Sequence, residues 1–207
     1  MTAALGRRDR KKLATRKALA GAALSLVAER GFDHVTIEDI VEAVDVSSRT
    51  FFNYFASKED AIVGADPDQG DRLRDALAAR PLDEAPLETL RAVLWELTEA
   101  RLEEREEWLL RLRVIRETPA LLVRQLASFA AFERVLANAV AVRTGTDAER
   151  DIYPAIAAAA AVAAMRVALR VWQSNGQARP LRDLFDEALG ELAHGLVAPP
   201  PTKARRK

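Results

Sequence analysis

The stretch from Thr36 to Glu59, TIEDIVEAVDVSSRTFFNYFASKE, constrains the fold of this chain more than any other. Thr36 with Asp39 three residues later is a helix N-cap signal of the capping-box kind. Ile37, Ile40, Val41 and Val44 then fall on one face at helical spacing. Asp45 interrupts that face where the chain must turn sharply, and aspartate tolerates left-handed dihedrals. The residues from Ser47 to Phe55 form a second helix. Phe51 and Phe55, one turn apart, can anchor it to a core, which leaves Ser48, Arg49, Phe52 and Asn53 for another face. Helix, tight turn and a second helix with a polar and aromatic outer face are the layout of a helix-turn-helix, whose second helix enters a DNA major groove.

The rest of the chain has helical period, with proline or glycine in the gaps. A first helix is expected from about Arg8 to Arg30, with Leu19, Ala23, Leu26 and Val27 as its buried stripe and Gly31 at the C′ position. Ser57 with Asp60 caps a helix beginning at Lys58. The run Asp66 to Gly70 interrupts it or separates it from a helix over Asp71 to Ala79. Asp83 is a candidate cap for a helix from Leu87 to about Arg105, and Trp108 to Glu117 reads as a short helix. Thr118 as N-cap and Pro119 at the first helical position open the next, which runs to about Arg143. Thr146 and Glu149 read as a capping box for a helix from Asp147 to Ser174, and a last helix runs from Pro180 to about Leu196. No β-alternation of useful length and no internal repeat occur, so the expected fold class is all-α.

Charge explains how a chain of zero net charge can approach DNA. Residues 1–17 carry Arg7, Arg8, Arg10, Lys11, Lys12, Arg16 and Lys17 against Asp9, and the end of the chain adds Lys203, Arg205, Arg206 and Lys207. The body between is correspondingly acidic. A basic arm beside a helix-turn-helix is an electrostatic footprint for phosphate. The chain of 207 residues has no cysteine and only two histidines, His34 and His194, so thiolate sites are excluded and a histidine metal site or triad has little to build on. The carboxylates cluster on charged helix faces such as Glu103, Glu104, Glu106 and Glu107, and no nucleophile–base pattern stands out. No enzyme activity, cofactor or metal is expected. The start, MTAALGRRDRKK, lacks the apolar segment of a secretory signal. The longest apolar run, Ala155 to Met165, is too short to span a bilayer, so a cytoplasmic protein with no membrane partner is expected.

The run VSSRTFFNYFASKEDAI, Val46 to Ile62, resembles the signature of tetracycline-repressor-like (TetR) regulators, and so does ALSLVAERGFDHVTIEDI, Ala23 to Ile40. Together they cover the first third of the chain. The run RLRVIRETPAL, Arg111 to Leu121, looks like the actinobacterial subgroup that includes the mycofactocin-system regulator. The resemblance implies an N-terminal three-helix helix-turn-helix domain with its basic arm over residues 1–65. A helical effector-binding and dimerisation domain would follow over 66–198, with a basic tail at 199–207. It also maps Ser48, Arg49 and Phe52 to base-edge contacts, and Thr36, Thr50, Tyr54 and Lys58 to phosphate contacts. Physical chemistry agrees in part. Arg49 can fork onto guanine, Asn53 can pair with adenine or bond a phosphate, and Ser47 offers another hydroxyl beside them. Phe52 stands where the family usually has tyrosine, and Asp45 where it usually has glycine.

Family members bind effectors among the central helices. Trp95, Trp108, Phe129 and Met165 are the candidate pocket residues here, and Arg111, Arg113, Arg116 and Arg124 could meet an anionic ligand such as the phosphates of an acyl-CoA. Ala157 to Ala161 with Ala163 and Ala164 give a flat surface beside an apolar stripe of Val162, Leu169, Leu184, Leu189 and Leu192. The resemblance implies that these helices form a four-helix bundle with a second copy. The expected protein is thus a homodimeric regulator of palindromic double-stranded operator DNA, a repressor released by a small hydrophobic or acyl-CoA-like effector. The alternative is a ligand-binding protein on the same fold that does not read DNA.

Overall fold

A computed structural model of the chain describes residues 6–64 and 69–196. The first residues of the basic arm, the Asp66–Asp68 part of the interruption and the basic tail lie outside the described residues. Among those described there is no strand. The helices are α1 (Arg7–Arg30), α2 (Ile37–Val44), α3 (Ser48–Phe52), α4 (Lys58–Val63), α5 (Gln69–Ala78), α6 (Pro86–Leu102), α7 (Arg105–Glu117), α8 (Pro119–Thr144), α9 (Ile152–Ser174) and α10 (Leu181–Ala193). A 3-10 turn, Phe32–His34, separates α1 from α2. The all-α expectation holds.

The local signals that decide the first three helices are realised atom by atom. Thr36 accepts from the Asp39 N–H, and Asp39 accepts from the Thr36 N–H, closing the capping box. Asp45 adopts φ 55°, ψ 51°. Its N–H reaches Glu42 O while the Val46 N–H reaches Val41 O, the paired bonds of a Schellman motif. Ser47 caps α3 through the Thr50 N–H, and Ser57 caps α4 through the Asp60 N–H.

Elsewhere the boundaries shift for identifiable reasons. The expected Thr146–Glu149 box does not form. Asp147 instead accepts from the Glu149 and Arg150 N–H groups, and Asp151 accepts from the Asp147 N–H, so the chain makes a side-chain-stabilised turn and α9 opens only at Ile152. Asp83 caps nothing: α6 opens at Pro86, which suits the first helical position because it has no N–H to leave unpaired. The helix expected to run to Arg105 ends at Leu102, and α7 starts there instead. The last helix stops at Ala193.

The chain divides into two compact units. The first comprises Met1–Gln69 with Ala100–Ala131, and the second Gly70–Glu99 with Phe132–Lys207. In the first, one apolar core joins α1 (Leu19, Ala23, Leu24, Val27) to Ile40, Val41, Phe51, Phe55 and Ile62 of the next three helices and their turns. Val114, Ile115 and Leu121 of α7 and α8 complete it. On α1, Leu24 is fully buried, whereas Leu26, expected in the stripe, only packs against its edge.

In the second unit α9 packs along α10. Ala158, Ala161, Val162, Ala164, Met165 and Ala168 of α9 are buried, as are Leu181, Leu184, Phe185 and Leu189 of α10. The apolar run judged too short to cross a bilayer belongs to a helix of 23 residues that is long and apolar enough to do so by length and composition. Its buried alanine face against α10 is what a core helix of a folded domain presents.

Candidate nucleic-acid interface

α3 is only five residues long, too short to hold itself in water, so its position is set by its anchors. Phe51 is fully buried and Phe55 nearly so. The two rings meet at 5.7 Å, and Phe52 sets its ring edge-on to Phe51 at 5.6 Å. Phe52 itself is 57% exposed, an apolar ring held in water beside polar neighbours. Arg49 and Asn53 are exposed and Ser48 half-buried. Among the described residues these three side chains make no intramolecular hydrogen bond or ion pair. The Ser47 cap and the anchors Phe51 and Phe55 lie off this outer face, which is left unused.

The other expected contacts carry internal work. The Thr36 hydroxyl donates to Asp39 at 2.6 Å and its N–H donates to the same oxygen, so Thr36 has no spare donor for a phosphate. These bonds, with the Arg30 charge 3.6 Å away, hold the Asp39 carboxyl below its usual range. That carboxylate is therefore turned to its own helix start and to Arg30. Ser47 and Thr50 share a hydroxyl–hydroxyl bond of 3.0 Å, which uses one of their two hydroxyl protons. The Lys58 ammonium donates to Phe32 O at 2.8 Å and Val35 O at 2.9 Å and lies 4.0 Å from the Phe32 ring centroid. One of its three donors remains.

The basic arm divides in the same way. Arg10, Lys11 and Lys12 are exposed. Arg16 instead donates to Tyr54 O, and Lys17 pairs with Glu104. Two of the arginines considered for an anionic ligand are committed elsewhere. Arg111 donates to Ile62 O at 2.8 Å, at the carboxyl end of α4, while Glu107 pairs with it. Arg124 pairs with Asp60 of α4, a carboxylate that is almost fully buried. The sequence reading placed Asp60 in the cap of α4 but missed its pairing with Arg124, and it missed Arg16 as a structural determinant. Arg16 could have been found, since it falls at helical spacing from Leu19, Ala20 and Ala23 on the buried stripe.

The four pocket candidates fall in different units. Trp95 and Met165 belong to the second and Trp108 and Phe129 to the first. Thr98, one turn beyond Trp95 on α6, reaches the Met165 sulfur at 3.7 Å. The Trp95 indole nitrogen is buried with no partner among the described residues, and Arg182 lies over the ring at 5.3 Å. A cleft of about 680 Å³ in the first unit is lined by Val27, Phe32, Asp33, Arg113, Glu117 and Pro119 among others, and by none of the four candidates.

A three-helix core that holds out a short, capped helix with an unused polar and aromatic face defines a helix-turn-helix DNA-binding protein. Residues 19–62 match the model of bacterial regulatory proteins of the tetR family, and residues 84–197 match the MftR C-terminal domain. The chain belongs to the TetR family of transcriptional regulators. It is 35% identical over 201 residues to the HTH-type transcriptional regulator TcmR of Streptomyces glaucescens, covering 93% of this chain and 89% of that one. Solved structures share the fold. The SmeT–triclosan complex superposes with a TM-score of 0.61 at 20% identity, covering 92% of this chain and all of that one. SmeT represses a Stenotrophomonas maltophilia multidrug efflux pump. Thermus thermophilus FadR, a transcriptional repressor in complex with lauroyl-CoA, gives 0.55 at 24% identity, covering 91% of this chain and all of that one. TetR-family regulators bind operator DNA as dimers and bind ligands.

Proposed function

We propose that this regulator is a cytoplasmic, homodimeric repressor that reads a palindromic operator with α3 and is released by a small hydrophobic or acyl-CoA-like effector. The observation that carries the reading is the outer face of α3, where Ser48, Arg49 and Asn53 keep all their hydrogen-bonding groups available and Phe52 stays exposed. Arg49 reads guanine O6 and N7, Phe52 meets a thymine methyl, and Asn53 takes an adenine edge or a phosphate. Ser47, Thr50, Tyr54 and the last donor of Lys58 take phosphates, and Thr36 does so only by giving up Asp39. Residues 1–65 form the reading domain, 66–198 the effector and dimer domain, and 199–207 a basic tail.

Ile152, Tyr153 and Ile156 on α9 are exposed apolar side chains with no cover, which supports a dimer through α9 and α10. For the effector, the Trp95 N–H, buried with no partner among the described residues, supplies a donor in the second unit, where the apolar Met165 also lies. The lauroyl-CoA and triclosan named with the structural neighbours agree with an apolar ligand.

The test begins with DNA that the protein itself selects from a random-sequence pool, which yields an operator directly. Arg49→Ala is expected to cost about 1–3 kcal/mol per half-site and to relax one base position. Equal losses on selected and scrambled DNA would make Arg49 a phosphate clamp and remove the base-reading role.

A further inference from the structure

Counted by charge, Arg16 belongs with the basic arm. Its geometry places it elsewhere. Its guanidinium donates to Tyr54 O at 2.7 Å and sits 4.3 Å from the centroid of the Phe55 ring. The residue is half-buried, on the side of α1 that carries Leu19 and Ala23 into the core.

Tyr54 and Phe55 form the exit of α3. There the Tyr54 and Phe55 N–H groups both close on Phe51 O, and α4 does not start until Lys58. The Tyr54 carbonyl therefore comes just after the last helical turn, where the chain offers it no continuing helix, and Arg16 meets it. The front of α3 is held by the Asp45 turn and the Ser47 cap, and its inner face by Phe51. Only the exit is held by a long side chain from another helix. A helix of five residues pivots on its anchors, and the direction in which Arg49 and Phe52 point follows from where both ends are fixed.

We propose that Arg16 is a positioning residue for operator discrimination: it pins the exit of α3 to α1 through Tyr54 O and Phe55 and so aims the base-reading face, rather than contacting phosphate. This rests on α3 being the base reader. A phosphate contact would add affinity on every sequence and steepen the dependence on salt. A positioning contact raises affinity only where base edges must be matched.

Arg16→Met keeps the apolar stem and removes the donor and the charge. Binding is measured by salt titration on selected and on scrambled DNA, with thermal melts of each variant. The expected result for Arg16→Met is a fall of about tenfold or more in the ratio of operator to scrambled affinity, the scale of losing one charged hydrogen bond. The salt slope on scrambled DNA should stay at the wild-type value. Arg16→Lys, which keeps a cation able to reach Tyr54 O, should recover most of that ratio. Equal loss on both DNAs with a flatter slope would overturn the proposal in favour of a phosphate contact. A lowered melting temperature with an unchanged ratio would overturn it in favour of a purely structural role. Arg49→Ala runs alongside: if Arg49→Ala leaves the ratio intact, the base-reading role of α3 is lost and the proposal with it. If Arg49→Ala lowers the ratio and Arg16→Met does not, the proposal alone is lost.

Discussion

Replacing Lys58 tests two roles at once, and the structure allows them to be separated. Its ammonium donates to the carbonyls of Phe32 and Val35, on either side of the 3-10 turn's end, and stacks on the Phe32 ring. Lys58→Met keeps the apolar stem and removes both bonds and the cation. A hydrogen bond to a charged group contributes about 1.5–3 kcal/mol, and a partly exposed cation–π contact about 0.5–1. Water can reach this half-buried site and replace part of the loss, so the net cost is about 2–3 kcal/mol per chain. For a chain of this length each kcal/mol lowers the melting temperature by about 2–4 °C, which gives a drop of about 4–12 °C by circular dichroism. The remaining donor is the one available to DNA. Losing it should flatten the salt slope of DNA binding by about 2 per dimer, since each neutralised phosphate contributes close to one unit. A melting temperature within about 1 °C of wild type would refute the internal clamp, because two charged bonds cannot vanish at so small a cost. A lowered melting temperature with an unchanged slope would leave the clamp standing and remove the phosphate contact.

Arg124→Met strands the buried Asp60 carboxylate. Breaking a buried pair costs about 3–5 kcal/mol, and because Arg124 is about half exposed the expected loss is nearer 2. Adding Asp60→Asn should recover part of it, and a double-mutant cycle in urea that shows no coupling would refute the pairing. Glu84 accepts from Arg80 and from the Thr89 hydroxyl, and the Arg80 bond is the main cause that brings its folded pKa down to about 2 from 4.5. A depressed carboxylate contributes stability that is complete above its unfolded pKa and lost as pH falls through the folded one. Wild type should therefore lose this contribution between pH 4.5 and about 2, and Glu84→Gln should be less stable at neutral pH with a flatter acid limb; parallel acid curves would refute it. Ile156→Asp should give a folded monomer by light scattering, because Ile156 is exposed on α9. Ala164 is buried within its own chain, and a charge there would test folding instead.

Whether a segment was legible in the sequence depended on whether its partners were near along the chain. The capping box at Thr36, the caps at Ser47 and Ser57 and the left-handed turn at Asp45 are all set by residues within one or two turns, and each was readable, as was the one-turn spacing of the apolar pair Phe51 and Phe55. Thr146 and Glu149 show the limit of the same reasoning. The spacing was right for a box, but Asp147 took the Glu149 N–H and the Thr146 N–H closed on Ala141 O instead. Arg16, Arg111 and Arg124 were counted as charges because their partners lie 38, 49 and 64 residues away, and no local pattern reveals a carbonyl or carboxylate at that separation. On the outer face of α3 the sequence and the structure agree that Arg49, Phe52 and Asn53 stay exposed for a simple reason: the anchors Phe51 and Phe55 lie on the opposite side of the helix.

The arginines bring folding and function together at α4. This helix has six residues, and α7 and α8 hold both of its ends. Arg111 caps its last carbonyls, where a cation also meets the negative end of the helix dipole, and Arg124 holds Asp60 near its start. Gly64, at φ 71°, ends the helix in a conformation that side-chain-bearing residues rarely adopt, and a Cβ there would push against the Arg111 guanidinium that caps α4. Val114, Ile115 and Leu121 meanwhile complete the core on which α1 to α4 rest. Helices α1 to α4 are thus built against residues far along the chain. A displacement of α7 or of the start of α8 must either carry α4 with it or break charge-assisted bonds that are costly to leave unmade.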